Sequence, residues 1–202
     1  MSIQGSLHLF SPLDLLQSLS EKSGVLHLTT SSTTVEAWIS SGYLTRLVWQ
    51  RREQPLHLAP LVLLEVCSSS EGRFKFVSIP GALGVAGPKP LCSASPVRLS
   101  SLLLTLAQAR IELEDGMKLP SGSEWFMVWK PAAALREWES ALLVTVSPLL
   151  LQGYSVLKLA EGLQLPLEGL RYGLGCLQRA GSIETLVPAI EVNWMSKLVQ
   201  AT

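Results

Sequence analysis

The sequence predicts an α+β fold: an N-terminal antiparallel β-meander with packed helices, then a mainly α winged helix-turn-helix. Three observations predict it. Between residues 24 and 50, three strand-length segments follow one another with only turn residues between them. A leucine-spaced helix precedes them and an apolar helix follows. Towards the C-terminus a helix, a short turn, a second helix, a glycine and a strand occur in that order.

Taken along the chain, Gln4–Phe10 alternates weakly and reads as a short strand. Ser11 can cap the orphan N–H groups of a helix start, and Pro12 suits the first helical position. Leu13, Leu16 and Leu19, widened by Leu15, then mark an amphipathic helix over Pro12–Ser20, ended by Gly24. Gly24–Thr29, Thr34–Ser40 and Tyr43–Gln50 read as strands, joined by a Ser/Thr turn and by Ser41-Gly42. In the second strand Val35, Ala37 and Ile39 share one face, and Glu36, Trp38 and Ser40 the other. Leu56–Cys67 reads as an apolar helix starting near Pro55 and Pro60, and Arg73–Val77 as a closing strand after the turn Glu71-Gly72.

Residues 80–96, rich in Gly, Pro, Ala and Ser, read as an irregular connection. Leu99–Arg110 is a helix with Leu99, Leu102, Leu103, Leu106 and Ala109 on its buried stripe. Asp115–Ser123, with Gly116, Pro120 and Gly122, divides the chain into domains of residues 1–120 and 121–202. Beyond it, Trp125–Trp129 is short and aromatic, and Ala132–Ser140 is helix-prone. Ala141–Leu151 is expected to kink or split at Pro148. Ser155–Leu163, capped by Ser155, and Leu167–Ala180 are helices around the turn Gln164-Leu165-Pro166. Gly181 stops the second, Ser182–Val187 is a strand, and a last helix is expected near Val192–Ala201.

The first half resembles the PATAN domain, an N-terminal module of bacterial response regulators that also occurs alone. The resemblance covers residues 3–77. It rests on GSLHLFSPLDLLQSLSEKSGVLHL (5–28), ISSGYLTRLVW (39–49), the apolar helix and EGRFKF (71–76), with Ser23 where the family often has Thr. It implies a stand-alone relative in signalling for surface motility, pili or development. It also implies action through protein contacts, with no catalytic residues. The second half resembles a generic winged helix by pattern alone, and such a domain binds either DNA or protein.

Composition narrows the chemistry. Of 202 residues, 48% are hydrophobic and 16% charged, and the formal net charge is zero. Residues 1–120 carry ten Lys/Arg against nine Asp/Glu, and residues 121–202 carry six against seven. Neither half attracts phosphate or anionic lipid strongly. Cys67, Cys92 and Cys176 form no CxxC pair and read as buried free thiols. No basic, apolar leader opens the sequence, and the most apolar runs, Leu56–Val66 and Ala141–Leu151, fall short of the roughly 20 residues of a bilayer span. A cytoplasmic protein without membrane contact is the expectation.

No phosphate-loop signature occurs; GALGVAG (81–87) lacks the following Lys-Ser/Thr. His8 and His27 could pair across neighbouring strands, but two histidines make a poor metal site. No Ser or Cys sits in a nucleophile motif, and Glu112, Glu114 and Asp115 read as solvated. The chain is therefore expected to be no enzyme and to take no cofactor, metal or small molecule.

Two sets of residues are candidates for contact with a macromolecule. Trp38, Arg46, Trp49, Arg51 and Arg52 combine the residue types enriched in interface hot spots, and point to a protein partner, a second copy of the chain included. Arg171, Tyr172 and Arg179 are the contacts a DNA-reading second helix would offer, opposed by Glu168 and Glu184. Neutral charge disfavours DNA. The first expectation is a signalling or assembly adaptor, and the alternative a winged-helix DNA-binding transcriptional regulator. Trp125, Trp129 and Trp138 read as packing at the domain junction.

Overall fold

A computed structural model of the chain describes residues 2–69, 71–79, 95–128 and 135–186. The expected helix near Val192–Ala201, the glycine-rich 81–87, Trp129 and Cys92 lie outside the described residues.

The N-terminal half forms as the alternation predicts, with local corrections. Strand β1 is Ser2–Ser6, earlier than the expected Gln4–Phe10. Its partner, β6 (Arg73–Ser78), begins just after the turn at Gly72, so pairing stops at Ser6 opposite Arg73 and the chain bends through Leu7–Leu9. Helix α1 spans Pro12–Ser18, and the Ser11 side chain accepts the Asp14 N–H at 3.1 Å. Gly24 does not end that helix. It opens β2 (Gly24–Thr29), where a Cβ would lie 2.3 Å from the Val77 carbonyl oxygen.

Strands β3 (Thr34–Ser40) and β4 (Tyr43–Trp49) follow, joined by Ser41-Gly42 with φ of 46° and 85°, as a tight hairpin turn requires. A strand not expected from sequence, β5 (Arg52–Gln54), pairs with β4 through a turn at Gln50 and Arg51. A 3₁₀ turn over Leu56–Leu58 leads into α2 (Ala59–Cys67), and β7 (Val97–Arg98) pairs with the start of β4.

The seven strands make one antiparallel sheet in the order β1-β6-β2-β3-β4-β5, with β7 also on β4. Because β6 lies between β1 and β2, and His8 falls beyond the end of β1, His8 and His27 do not sit on neighbouring strands. The face carrying Leu26, Leu28, Val35, Ala37, Ile39, Phe74 and Phe76 is buried under helices. Helix α2 is buried nearly all round its circumference, the burial of a central helix.

Helix α3 (Leu99–Glu114) runs one turn past the expected Arg110. Gln108 donates to Glu112 and Arg110 to Glu114, both four residues on, which supports the extra turn. Leu103 lies only partly within its buried stripe. After β8 (Trp125–Val128), α4 (Glu137–Leu151) is one continuous helix, neither split nor broken at Pro148. Pro148 is exposed, and the carbonyl its missing N–H would have served belongs to Val144, itself 75% exposed, so water can satisfy it.

Helix α5 (Val156–Leu163) follows Ser155, whose side chain makes no capping bond. Helix α6 (Leu167–Arg179) ends before Gly181, at φ +71°, and β9 (Ile183–Leu186) pairs antiparallel with β8. The molecule is thus α+β, with the seven-stranded sheet, six α-helices and a two-stranded ribbon among the described residues.

Apolar side chains on both sides of residue 120 share one core. Helix α6 reaches α2 through glycine: at Gly169 a Cβ would stand 2.1 Å from the Leu61 carbonyl oxygen. The Asp115–Ser123 connection is held down as well, since Pro120 is buried and its carbonyl accepts from Arg171 Nε.

Candidate interaction surfaces

The five residues expected to meet a protein partner separate into two places. Trp38 points away from the core face of β3, as its alternation with Val35, Ala37 and Ile39 predicts. Arg46 is its cross-strand partner on β4, with its guanidinium 5.8 Å from the indole centroid. Arg46 Nε also donates to Glu53 on β5 at 3.0 Å. Trp38, Arg46 and Glu53 therefore form a strip across three strands in which the arginine charge is already matched. Trp49 lies on the opposite face, in register with Leu47 and packed at the core's edge. Arg52 stands across from it, and Arg51 is exposed in the β4–β5 turn with φ +67°. The structure does not bring these five side chains into one surface, because Trp38 and Trp49 differ by an odd register on the pleat.

The three residues considered for DNA are engaged inside the fold. Tyr172 is 0% exposed, stacked on Trp138 with ring centroids 6.1 Å apart, and its hydroxyl donates to Glu112 Oε2 at 2.9 Å. It presents no atom to a groove, which corrects its expected role. Arg179 donates to the same Glu112 oxygen. Arg171 spans the Pro120 carbonyl and Glu168, the latter at 2.8 Å. Glu112 was expected to be solvated, yet it joins α3 to α6. Burial pushes its carboxyl pKa up, but hydrogen bonds from Arg179, Tyr172 and Gln108 outweigh this and hold it below the ordinary carboxylate value. Burial, with the neighbouring Cys176 and Glu112, pushes the Tyr172 phenol well above its usual value.

A second polar knot adjoins the first. The Arg136 guanidinium donates to Glu139, which is 6% exposed, and lies 5.0 Å from the Trp138 ring centroid. Arg136 and Arg179 both reach Cys176 Sγ, at 3.5 and 3.6 Å. Desolvation nevertheless raises the Cys176 thiol pKa, and burial pushes that of Cys67 up to about 12, so neither is a ready nucleophile. Among the described residues no group of three or more His, Cys, Asp or Glu could hold a metal ion. No described helix is long and apolar enough to cross a membrane.

Sequence reasoning missed a solvent-facing apolar surface. On α4, Val144 and Leu151 are each 75% exposed, with exposed Pro148 between them. Trp125, 47% exposed, pairs with Leu186, bridges to Ser155 and has its ring over Gly153. Leu186, beside the indole on the ribbon, is exposed as well, as are Leu151 at the end of α4 and Leu157 on α5. The signal was present in sequence: no charged residue occurs from Ser140 to Gln152, although helices of a folded surface carry charge on their outer face.

No family model, curated protein or solved structure matches this chain. The outer face of α4 offers contact area with no charge of its own to desolvate, whereas the three arginine- and tyrosine-based DNA candidates would each have to give up an internal bond first.

Proposed function

We propose that the chain is a non-enzymatic bacterial signalling or assembly adaptor that acts in the cytoplasm by binding another protein. Its first 120 residues form a PATAN-like unit and residues 121–202 a winged-helix-like unit. The observation that carries the reading is the exposed, uncharged outer face of α4, where Val144, Pro148 and Leu151 recur at helical spacing. Contiguous apolar surface of this kind marks interaction sites on folded proteins. The PATAN-like order of motifs supports the signalling half of the proposal.

The test is cross-linked capture with the full chain in a bacterial host, comparing wild type with the double variant Val144→Glu, Leu151→Lys. A partner held by wild type and by Arg171→Ala, but lost by the double variant, supports the reading. Equal capture by the double variant sinks it, as does turnover of a nucleotide or ester substrate that a point mutation abolishes.

A second reading, a DNA-binding regulator, is favoured by one observation: α5, a three-residue turn, α6 and β9 follow in the order of a winged helix-turn-helix. Fluorescence anisotropy with mixed-sequence duplex separates the two. Binding that weakens steeply with salt and disappears in Arg171→Ala supports the regulator, and no binding at low salt eliminates it.

A further inference from the structure

The seven-stranded sheet has two ends, and only one is guarded against pairing with another strand. At the far end β5 is three residues long, carries Arg52 and Glu53 and is followed by Pro55, and the two-residue β7 adds Arg98. Short length, charge and proline are the devices that keep a sheet edge from recruiting a further strand. At the other end β1, SIQGS, has five residues, and no Asp, Glu, Lys or Arg occurs from Ser2 to Leu13. No described strand lies beyond it.

The register says which backbone groups this edge offers. Strand β1 pairs antiparallel with β6, from Ser2 opposite Val77 to Ser6 opposite Arg73. In the same register the Leu7 N–H donates to the Gly72 carbonyl at 3.0 Å. Hydrogen-bonded positions alternate along an antiparallel ladder. Ile3 and Gly5, like Leu7, therefore direct their N–H and C=O at β6, and Ser2, Gln4 and Ser6 turn theirs outward. The Ser6 carbonyl takes the Leu9 N–H at 3.2 Å, and Gln4 lies exposed at the centre of the open edge.

The side chains fit a second copy of the same strand. A two-fold pairing centred on Gln4 sets Gln4 against its own counterpart, Ser2 against Ser6 and Ile3 against Gly5. A charge at position 4 would face itself there, and a neutral glutamine avoids this. Ile3 and Gly5 share the helix-covered face with Phe76 and Phe74, their partners on β6. The Phe74 ring fills the space of a Gly5 Cβ, with Cε1 2.7 Å from where that atom would lie. Ile3 of the second copy, opposite Gly5, would cover this ring, and Ile3 is exposed in the single chain. Phe10, 52% exposed, meets the Phe74 ring edge-on at 5.9 Å and flanks the same place.

We propose that two copies of the chain join by antiparallel pairing of β1 with its counterpart, across a two-fold axis at Gln4, into one continuous sheet. The Gln4 N–H and C=O then exchange hydrogen bonds with those of the other Gln4, and Ser2 does so with Ser6. The residues considered from sequence for a second copy, Trp38, Arg46, Trp49, Arg51 and Arg52, lie towards the opposite end of the sheet. The pairing uses no residue of the outer face of α4, so it stands or falls independently of the adaptor reading.

The experiment is sedimentation velocity of the full chain from micromolar to millimolar concentration. A monomer–dimer equilibrium is expected. Gln4→Pro removes the outward N–H but no bond to β6, and should weaken the dimer about tenfold, the loss of a hydrogen bond from each copy. Gln4→Lys and Gln4→Glu should each weaken it a few-fold by setting like charges face to face, and an equimolar mixture of the two should recover dimers. Circular dichroism should show these variants folded, since Gln4 is exposed. Val144→Glu with Leu151→Lys should leave the equilibrium unchanged. A chain that stays monomeric throughout overturns the inference, as when another segment of the chain or a different partner covers β1. So does a dimer that Gln4→Pro leaves intact or that the α4 double variant abolishes. A mixture of Gln4→Lys with Gln4→Glu that associates no better than either alone overturns it too.

Discussion

Tyr172 donates its hydroxyl to Glu112 Oε2 at 2.9 Å, joining α6 to α3 across 60 positions of sequence. The ring is fully buried against Trp138, so removing the oxygen alone leaves packing intact. Tyr172→Phe should cost about 1.5 kcal/mol, the worth of a hydrogen bond to a charged acceptor that keeps other partners. Urea unfolding checks it: the midpoint should fall while the slope stays the same. An unchanged midpoint would mean that the bond adds nothing over water.

The same carboxylate makes stability depend on pH. Glu112 is held below its ordinary value of about 4.5, because the bonds from Arg179, Tyr172 and Gln108 outweigh the upward push of burial. A carboxyl whose folded pKa is lowered stabilises the fold above the unfolded pKa, and that stability is lost as pH falls through the folded value. Glu112→Gln should therefore melt below wild type at pH 7. The gap should narrow as pH falls from about 5 to about 3. A gap independent of pH would show that the glutamate acts by shape and not by charge.

What the sequence made legible follows from locality. Strand β3 was readable because Val35, Ala37 and Ile39 alternate with Glu36 and Trp38, and its turn because Ser41-Gly42 suits positive φ. Strand β5 was not, since the turn before it places Gln50 and Arg51, neither a glycine, at φ of 48° and 67°. The Glu112–Arg179 pair could not be seen because 67 positions separate its members. Tyr172 was within reach of sequence. Gly169, Gly173 and Cys176 recur at helical spacing, and a glycine stripe on a helix marks a face that another backbone approaches. Tyr172, adjoining that stripe, belonged inside.

The β4–β5 turn offers a gain in stability. Arg51 is exposed and holds a left-handed conformation that costs a non-glycine residue about 1 kcal/mol. Arg51→Gly should therefore raise the melting temperature, less whatever glycine adds to the entropy of the unfolded chain. Arg51→Ala removes the same charge without relieving the backbone and should not. Equal effects from the two would assign the change to charge.

Gly169 and Gly162 both lie in helices and should respond in opposite directions to alanine. At Gly169 a Cβ would meet Leu61 backbone, 2.1 Å from its carbonyl oxygen and 2.8 Å from its carbonyl carbon. Neither atom can rotate away, so α6 must lift from α2 and open the core that the two halves of the chain share. Gly169→Ala should cost about 3 kcal/mol, the upper range for overpacking. At Gly162 the nearest atom to a Cβ is Tyr154 Cε1 at 4.0 Å, an ordinary contact. There alanine only restricts the unfolded chain and favours the helix, and Gly162→Ala should gain about 0.5 kcal/mol. Thermal unfolding of the pair decides whether the α2–α6 contact is as close as the geometry has it. If Gly169→Ala melts at or above wild type, the helices have room to spare and the shared core is looser than the Leu61 distance requires.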